Sequence, residues 1–322
     1  MLEINPFQIK DEQEFNACSL KIFHHQASHC DTYRAFLENL SRPVPSHYSE
    51  IPFLPISAFK NHQVYAGNQA AETVFESSGT TGMKPSKHAI KDLLLYERCF
   101  MSHFSARYGA PEQWCILALL PSYLERGNSS LVYMVDHLIK RSLNDSSGFF
   151  LNNHDALRKR LDDLRATGQK VMLIGVSFAL LDLLGKGPIP FPELVVMETG
   201  GMKGRKKEIL REELHSILKR GFSVNAVHSE YGMTELLSQA YAPKDGMFYC
   251  PPWMKVLVRE LNDPFQPARL GASGAMNIID LANIHSCSFI ATEDLGRSFE
   301  DGGFEVLGRY DHSDMRGCSL MV

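Results

Sequence analysis

Between Trp114 and His228 short apolar runs alternate with longer stretches of helical periodicity, and this alternation limits the fold more than any other feature of the chain. WCILALL at Trp114–Leu120, Val171–Gly175, Leu194–Glu198 and Val224–His228 read as buried strands. Lys91–Tyr108, Leu131–Leu143, His154–Thr167, the residues from Gly175 to about Leu184, and Lys206–Arg220 read as helices. Strands separated by helices of this length predict an α/β fold with large, mostly parallel sheets covered by helices. Upstream, Phe15, Cys18 and Ile22, then Tyr33, Phe36, Leu37 and Leu40, recur at helix spacing. Pro43, Pro45, Pro52 and Pro55 make Arg42–Ser57 an irregular connector. From about Lys255 short strands and turns take over. The expected organisation is an α/β core with a helical N-terminal segment over residues 1–254 and a small β-rich portion over residues 255–322.

Composition removes several function classes. The 322 residues are 44% hydrophobic, enough for a large core, and 22% charged, with a net charge of −4 and no acidic or basic block. No region clusters Lys and Arg with aromatics as a nucleic-acid face would. No stretch approaches the roughly 18 apolar residues of a membrane span. VMLIGVSFALLDLLG at Val171–Gly185 is shorter and carries Asp182, so a strand followed by a helix accounts for it. The N-terminus lacks the pattern of a signal peptide. Seven cysteines without a C-x-x-C pair then predict a reduced, cytoplasmic protein.

Four polar segments follow expected strands or lie in the β-rich portion. ESSGTTGMKPSK at Glu76–Lys87 joins glycines, which let a backbone approach an anion closely, to hydroxyls and to Lys84 and Lys87. Backbone N–H groups in such a loop make an anion-binding concavity, and a polar surface turn has the same composition. The spacing is not that of a Walker A loop. EYGMTE at Glu230–Glu235 places an aromatic ring, a tight glycine, a hydroxyl and a carboxylate at a strand end, where ligands of open α/β sheets collect. Tyr231 could stack on a base, Thr234 could bond a phosphate, and Glu235 could hold Mg²⁺, which prefers oxygen ligands. An ordinary strand-to-helix turn is the alternative. TGGMKG at Thr199–Gly204 would let a flat ring lie on backbone. TEDLG at Thr292–Gly296 and LGRYDHSDMRG at Leu307–Gly317 add an Asp and an Arg, which alone are usually surface charges and matter only in combination with the other segments.

In this order, SSGTTG, GG, YGMTE, TEDLG and GRYD resemble the adenylate-forming superfamily of acyl- and aryl-CoA ligases, peptide-synthetase adenylation domains and firefly luciferase, from about Phe75 to the C-terminus. The resemblance implies ATP and Mg²⁺ as cofactors. It implies that Ser77, Ser78, Gly79, Thr80, Thr81 and Gly82 hold the ATP phosphates, that Gly200 and Gly201 flank the adenine, and that Tyr231 and Gly232 lie by the base. It further implies Thr234 at the α-phosphate, Glu235 on Mg²⁺, and Asp294 and Arg309 on the ribose. The loop departs from the family's TTGxPKG, TEDLG replaces TGDLG, and the chain is expected to lack the family's mobile C-terminal domain with its lysine. RGCSLMV at Arg316–Val322 and SYLERGNSSL at Ser122–Leu131 resemble the short acyl-protein synthetases of bacterial luminescence, the LuxE-like proteins, which accept the acyl group on their own cysteine. Cys318 is then the implied acceptor, with Arg316 beside it to lower the thiol pKa. A buried structural cysteine is the alternative.

The expected activity is therefore that of an AMP-forming acid–thiol ligase. A carboxylic acid, expected to be a fatty acid, becomes acyl-AMP and is passed to a thiol. Its partners would be the acid and an acyl-reductase or other acceptor protein, with no nucleic acid and no membrane span. A CoA ligase and a non-catalytic nucleotide-binding relative remain as rivals. His24, His25, His29 and Cys30 lack zinc-site spacing and read as a helix-surface cluster. His228 reads equally as an acyl-pocket residue or an ordinary strand-end histidine.

Overall fold

The computed structural model describes residues 4–77, 84–120, 128–200 and 209–310. In chain order the elements are α1 (Glu12–His29), α2 (Asp31–Leu40), β1 (Leu54–Pro55), α3 (Ala58–Asn61), β2 (Thr73–Glu76), β3 (Lys87–Ile90), α4 (Leu93–Tyr108) and β4 (Cys115–Leu119). There follow α5 (Ser130–Arg141), β5 (Gly148–Phe149), α6 (His154–Arg165), β6 (Val171–Gly175), α7 (Ser177–Leu184), β7 (Val195–Glu198), α8 (Arg211–Phe222) and β8 (Val227–Tyr231). The remainder is strand: β9 (Ala240–Ala242), β10 (Met247–Phe248), β11 (Met254–Arg259), β12 (Gly274–Asp280), β13 (Phe289–Ser298) and β14 (Phe304–Arg309).

One sheet has the order β5-β4-β6-β7-β8-β9 and is parallel except for its last strand. Strands β4 and β6 are buried along their whole length. Parallel strands covered on both faces need such continuous apolar runs, which is why WCILALL carries no polar alternation. The second sheet runs β10-β14-β13-β12-β11 and is antiparallel, with β1 added in parallel to β13. Strands β2 and β3 form a separate antiparallel hairpin. The helices start where side chains can satisfy their first free N–H groups. Asp11 accepts from the backbone of Glu14, Asp92 from Leu95 and Asn153 from Ala156.

Three boundaries differ from the periodicity. The N-terminal helical stretch is divided at Cys30, whose backbone is extended (φ −105°, ψ 100°) and bridges to Ala66. The helix expected from Lys206 is seen from Arg211; residues 201–208 lie outside the described residues. The strand expected to end at His228 continues to Tyr231, because Glu230 and Tyr231 pair with Tyr241 and Ala240 of β9. The two sheets are joined through Asp280, which is fully buried. Its carboxylate accepts from the backbone N–H groups of Leu237, Ser238 and Ala282 and from the Ser238 hydroxyl, at 2.7–3.2 Å. Among the described residues no helix is long and apolar enough to cross a membrane.

Candidate active site

Strands β7 and β8 are parallel neighbours, with Glu198 opposite Ser229, so the turns after Glu198 and after Tyr231 open at the same edge of the sheet. Crevices beyond the carboxyl ends of such strands are where open α/β sheets bind ligands. The first turn is held by Glu198, which is 2% exposed. One carboxylate oxygen accepts from the Gly200 N–H at 2.7 Å and from the Ser177 hydroxyl at 3.1 Å. The other lies 3.6 Å from His215 Nε2 and 3.8 Å from Arg211 Nε. Gly200 has φ +72°, a conformation that strains any residue with a Cβ. In the second turn, a Cβ on Gly232 would stand 2.4 Å from a Glu230 carboxyl oxygen.

Tyr231 faces inward, its ring edge-on to Phe248 and Phe304. Its hydroxyl donates to Asp294 Oδ2 at 2.7 Å, and Arg309 Nε donates to Asp294 Oδ1 at 3.0 Å. Asp294 and Arg309 are direct partners across β13 and β14. The end of β8 and the β13–β14 pair therefore meet at one carboxylate.

The hairpin reaches the same place. Ser77 closes the neck of the glycine-rich loop: its Oγ accepts from the Ser86 N–H at 2.8 Å, and its own N–H donates to the Ser86 carbonyl at 3.0 Å. Glu235 is 5% exposed, with the Ser86 hydroxyl hydrogen-bonded to its carboxylate. Burial raises the Glu235 pKa; the Ser86 bond, its own backbone N–H and the charge of Arg309 act the other way, and Asp294 adds to the rise. No Lys, Arg or His forms an ion pair with Glu235 among the described residues. His88, on β3, places Nδ1 2.8 Å from the Thr234 carbonyl and Nε2 3.1 Å from Asn283 Oδ1.

Of the residues singled out in the sequence, Tyr231, Asp294 and Arg309 are brought into hydrogen-bond contact. Gly200, Gly232, Thr234 and Glu235 lie in the two adjoining strand-end turns, and Ser77 lies at the loop neck. Ser78, Gly79, Thr80, Thr81, Gly82, Gly201 and Cys318 lie outside the described residues, as does most of Ser122–Leu131. Lys87 pairs with Glu76 across the hairpin at 3.1 Å on the surface. His228 Nδ1 lies 3.3 Å from the Tyr108 hydroxyl. Val171–Leu184 forms β6 and α7 within the core. Sequence reasoning missed Glu198, Ser86, His88, Asn283 and Asp280. Only Glu198 carried a local signal, as an acidic residue ending an apolar run directly before TGG.

The environment of Glu198 has a measurable consequence. Burial alone would raise its pKa, but His215, Arg211, Ser229 and the Gly200 N–H outweigh burial and hold the carboxyl at about 2. A displacement of that size from the ordinary carboxylate range corresponds to about 3 kcal/mol. A depressed folded-state pKa stabilises the fold fully above pH ~4.5, and the contribution is lost as pH falls toward 2. Glu198→Gln should therefore lower the urea midpoint clearly at pH 7, with the gap from wild type narrowing steadily below pH 4.5. A pH-independent gap would show that charge is not what Glu198 contributes.

The architecture is shared with proteins of known structure. The open conformation of 2-hydroxyisobutyryl-CoA ligase in complex with 2-HIB-AMP and CoA superposes with a TM-score of 0.69 at 12% identity, covering 94% of this chain and 70% of that one. ATP-bound MatB from Rhodopseudomonas palustris gives 0.54 at 18% identity, covering 75% of this chain and 49% of that one. At these identities the likeness concerns the fold. A long-chain-fatty-acid–luciferin-component ligase of Vibrio harveyi is 25% identical over 91% of this chain and 82% of its own length. The family described as acyl-protein synthetase, LuxE, matches residues 1–322. Its match runs the full length of the sequence, through both sheets and the hairpin between them, and the chain belongs to the LuxE acyl-protein synthetase family.

Proposed function

We propose that the site joins a fatty acid to AMP at the expense of ATP and then passes the acyl group to the Cys318 thiolate. The observation that carries adenylation is the convergence of the hairpin neck, the Thr234–Glu235 turn and the Tyr231–Asp294–Arg309 network around a buried carboxylate that makes no ion pair among the described residues. A buried carboxylate with a raised pKa is poorly neutralised by the protein, and a hard cation would complete it. Among the described residues no group of three or more His, Cys, Asp or Glu side chains could hold a metal alone. Glu235 would hold Mg²⁺, a hard cation that prefers carboxylate oxygen. When bound, the ion would offset charge on the phosphates.

The carboxylate oxygen of the acid attacks the α-phosphorus of ATP, the bond to the bridging oxygen breaks, and pyrophosphate leaves. This chain's residues position and enclose the reactants. Asp294 is oriented by Tyr231 and Arg309 to accept from ribose hydroxyls, and Thr234 offers a hydroxyl donor to the α-phosphate. The thiolate of Cys318 then attacks the acyl carbonyl and AMP leaves, giving a thioester. The other six cysteines support this choice of nucleophile. Burial raises the thiol pKa of Cys30, Cys99, Cys115, Cys250 and Cys287, and pushes that of Cys18 to about 11. A thiol held protonated is a weak nucleophile at neutral pH. The fatty nature of the acid is carried over from the name of the Vibrio harveyi relative. ATP–pyrophosphate exchange over acids of increasing chain length tests the assignment. Exchange should require an acid and favour long chains, and its absence with every acid would refute adenylation.

A further inference from the structure

His88 has no part in the chemistry above, yet it is 1% exposed and lies between two arms of the site. It sits on β3 opposite Phe75, in the hairpin that carries the glycine-rich loop. Its Nδ1 lies 2.8 Å from the Thr234 carbonyl and its Nε2 3.1 Å from Asn283 Oδ1. Asn283 in turn donates from Nδ2 to the Glu235 carbonyl at 2.9 Å and to the Cys287 carbonyl at 3.1 Å. Asn283 thus donates to one of two successive carbonyls of the turn, and His88 lies beside the other. The two side chains come from the segment after β12 and from the hairpin.

The amide of Asn283 has one workable orientation. Reversed, it would aim its oxygen at two carbonyls, which only accept. Oδ1 must then receive a proton from His88 Nε2, which defines the tautomer of the neutral ring. The ring of Phe59 stands perpendicular to the imidazole, with the two ring centres 5.7 Å apart. Burial favours the neutral ring, lowering its pKa to about 4, while its two acceptors pull the other way. In the neutral ring the Nε2–Asn283–Glu235 branch is therefore the hydrogen bond that ties the hairpin to the turn, and Nδ1, left with a lone pair, cannot donate to the Thr234 carbonyl beside it.

On the assignment of this site to adenylation, we infer that His88 and Asn283 form a clamp that sets the distance between the phosphate-loop hairpin and the Thr234–Glu235 turn. They are positioning residues for ATP and touch neither the acid nor the thiol. A group that merely filled space would affect stability alone. A clamp between two nucleotide-binding arms affects ATP selectively, and its two members act as one unit.

The test is a double-mutant cycle with His88→Leu and Asn283→Ala, read by equilibrium binding of ATP and by the KM values for ATP and for acid in pyrophosphate exchange. His88→Gln, which keeps a donor for Asn283, serves as the conservative variant, and thermal melting confirms that each protein is folded. Each disruptive variant should weaken ATP about tenfold and leave the KM for acid within about twofold, sums of a size ordinary for lost buried hydrogen bonds. The double variant should be no worse than the worse single one, and His88→Gln should recover most of the affinity. Multiplying effects in the double variant, equal losses for ATP and acid, or unchanged ATP affinity would overturn the clamp. ATP binding needs no turnover. Wild type that binds ATP without any exchange would refute adenylation while still reporting on the clamp.

Discussion

Replacing Cys318 by serine should abolish covalent acylation of the protein while leaving acid-dependent ATP–pyrophosphate exchange at the wild-type rate. Adenylation precedes thiol attack, so a lost thiol stops only the second half-reaction. Serine places an oxygen in a similar position but offers no thiolate at neutral pH, and it is a far weaker nucleophile without an activating base. The measurement is incorporation of radiolabelled fatty acid in the presence of ATP, with hydroxylamine release to identify a thioester. Full labelling of the serine variant would remove Cys318 from the reaction. Wild type that releases acyl-CoA from added CoA without ever labelling itself would place the acceptor outside the protein.

A second large effect is expected at Glu235. Glu235→Gln should reduce pyrophosphate exchange by roughly a hundredfold or more, the range seen when one electrostatic contact to developing charge is removed. The same change should leave unliganded stability equal or raised. Burial raises the pKa of this carboxylate, so its ionised form weakens the folded state, and a neutral amide of the same shape relieves that cost. Loss of activity with an unchanged or higher melting temperature separates a functional carboxylate from a structural one. Near-normal exchange would take Glu235 out of the mechanism. Glu198 predicts the opposite pairing, since its carboxyl is held at about 2 and its charge supports the fold.

Much of the α/β layout was legible because local pattern and final environment agree. The unbroken apolar runs at Cys115–Leu119 and Val171–Gly175 became central parallel strands, buried on both faces. The amphipathic run at His154 became a helix beginning behind its Asn153 cap. Tyr231, Asp294 and Arg309 stand in motifs that the family resemblance singled out, and the structure joins the three side chains through one carboxylate.

What remained hidden depends on partners far away in the chain. The polar contacts of His88 reach residues 146 and 195 positions distant, and nothing near KPSKHAI announces them. The true end of β8 at Tyr231 depends on β9 arriving beside it. The break at Cys30 depends on Ala66, although the flanking residues keep helical spacing. Periodicity records which face of a segment meets the core, and that is a local property. A buried polar group must be satisfied wherever the folded chain places a partner. The sequence by itself thus determined the elements and the order of the candidate-site motifs, while only the tertiary structure decided how the hairpin, the strand-end turns and the Asp294–Arg309 pair are held to one another.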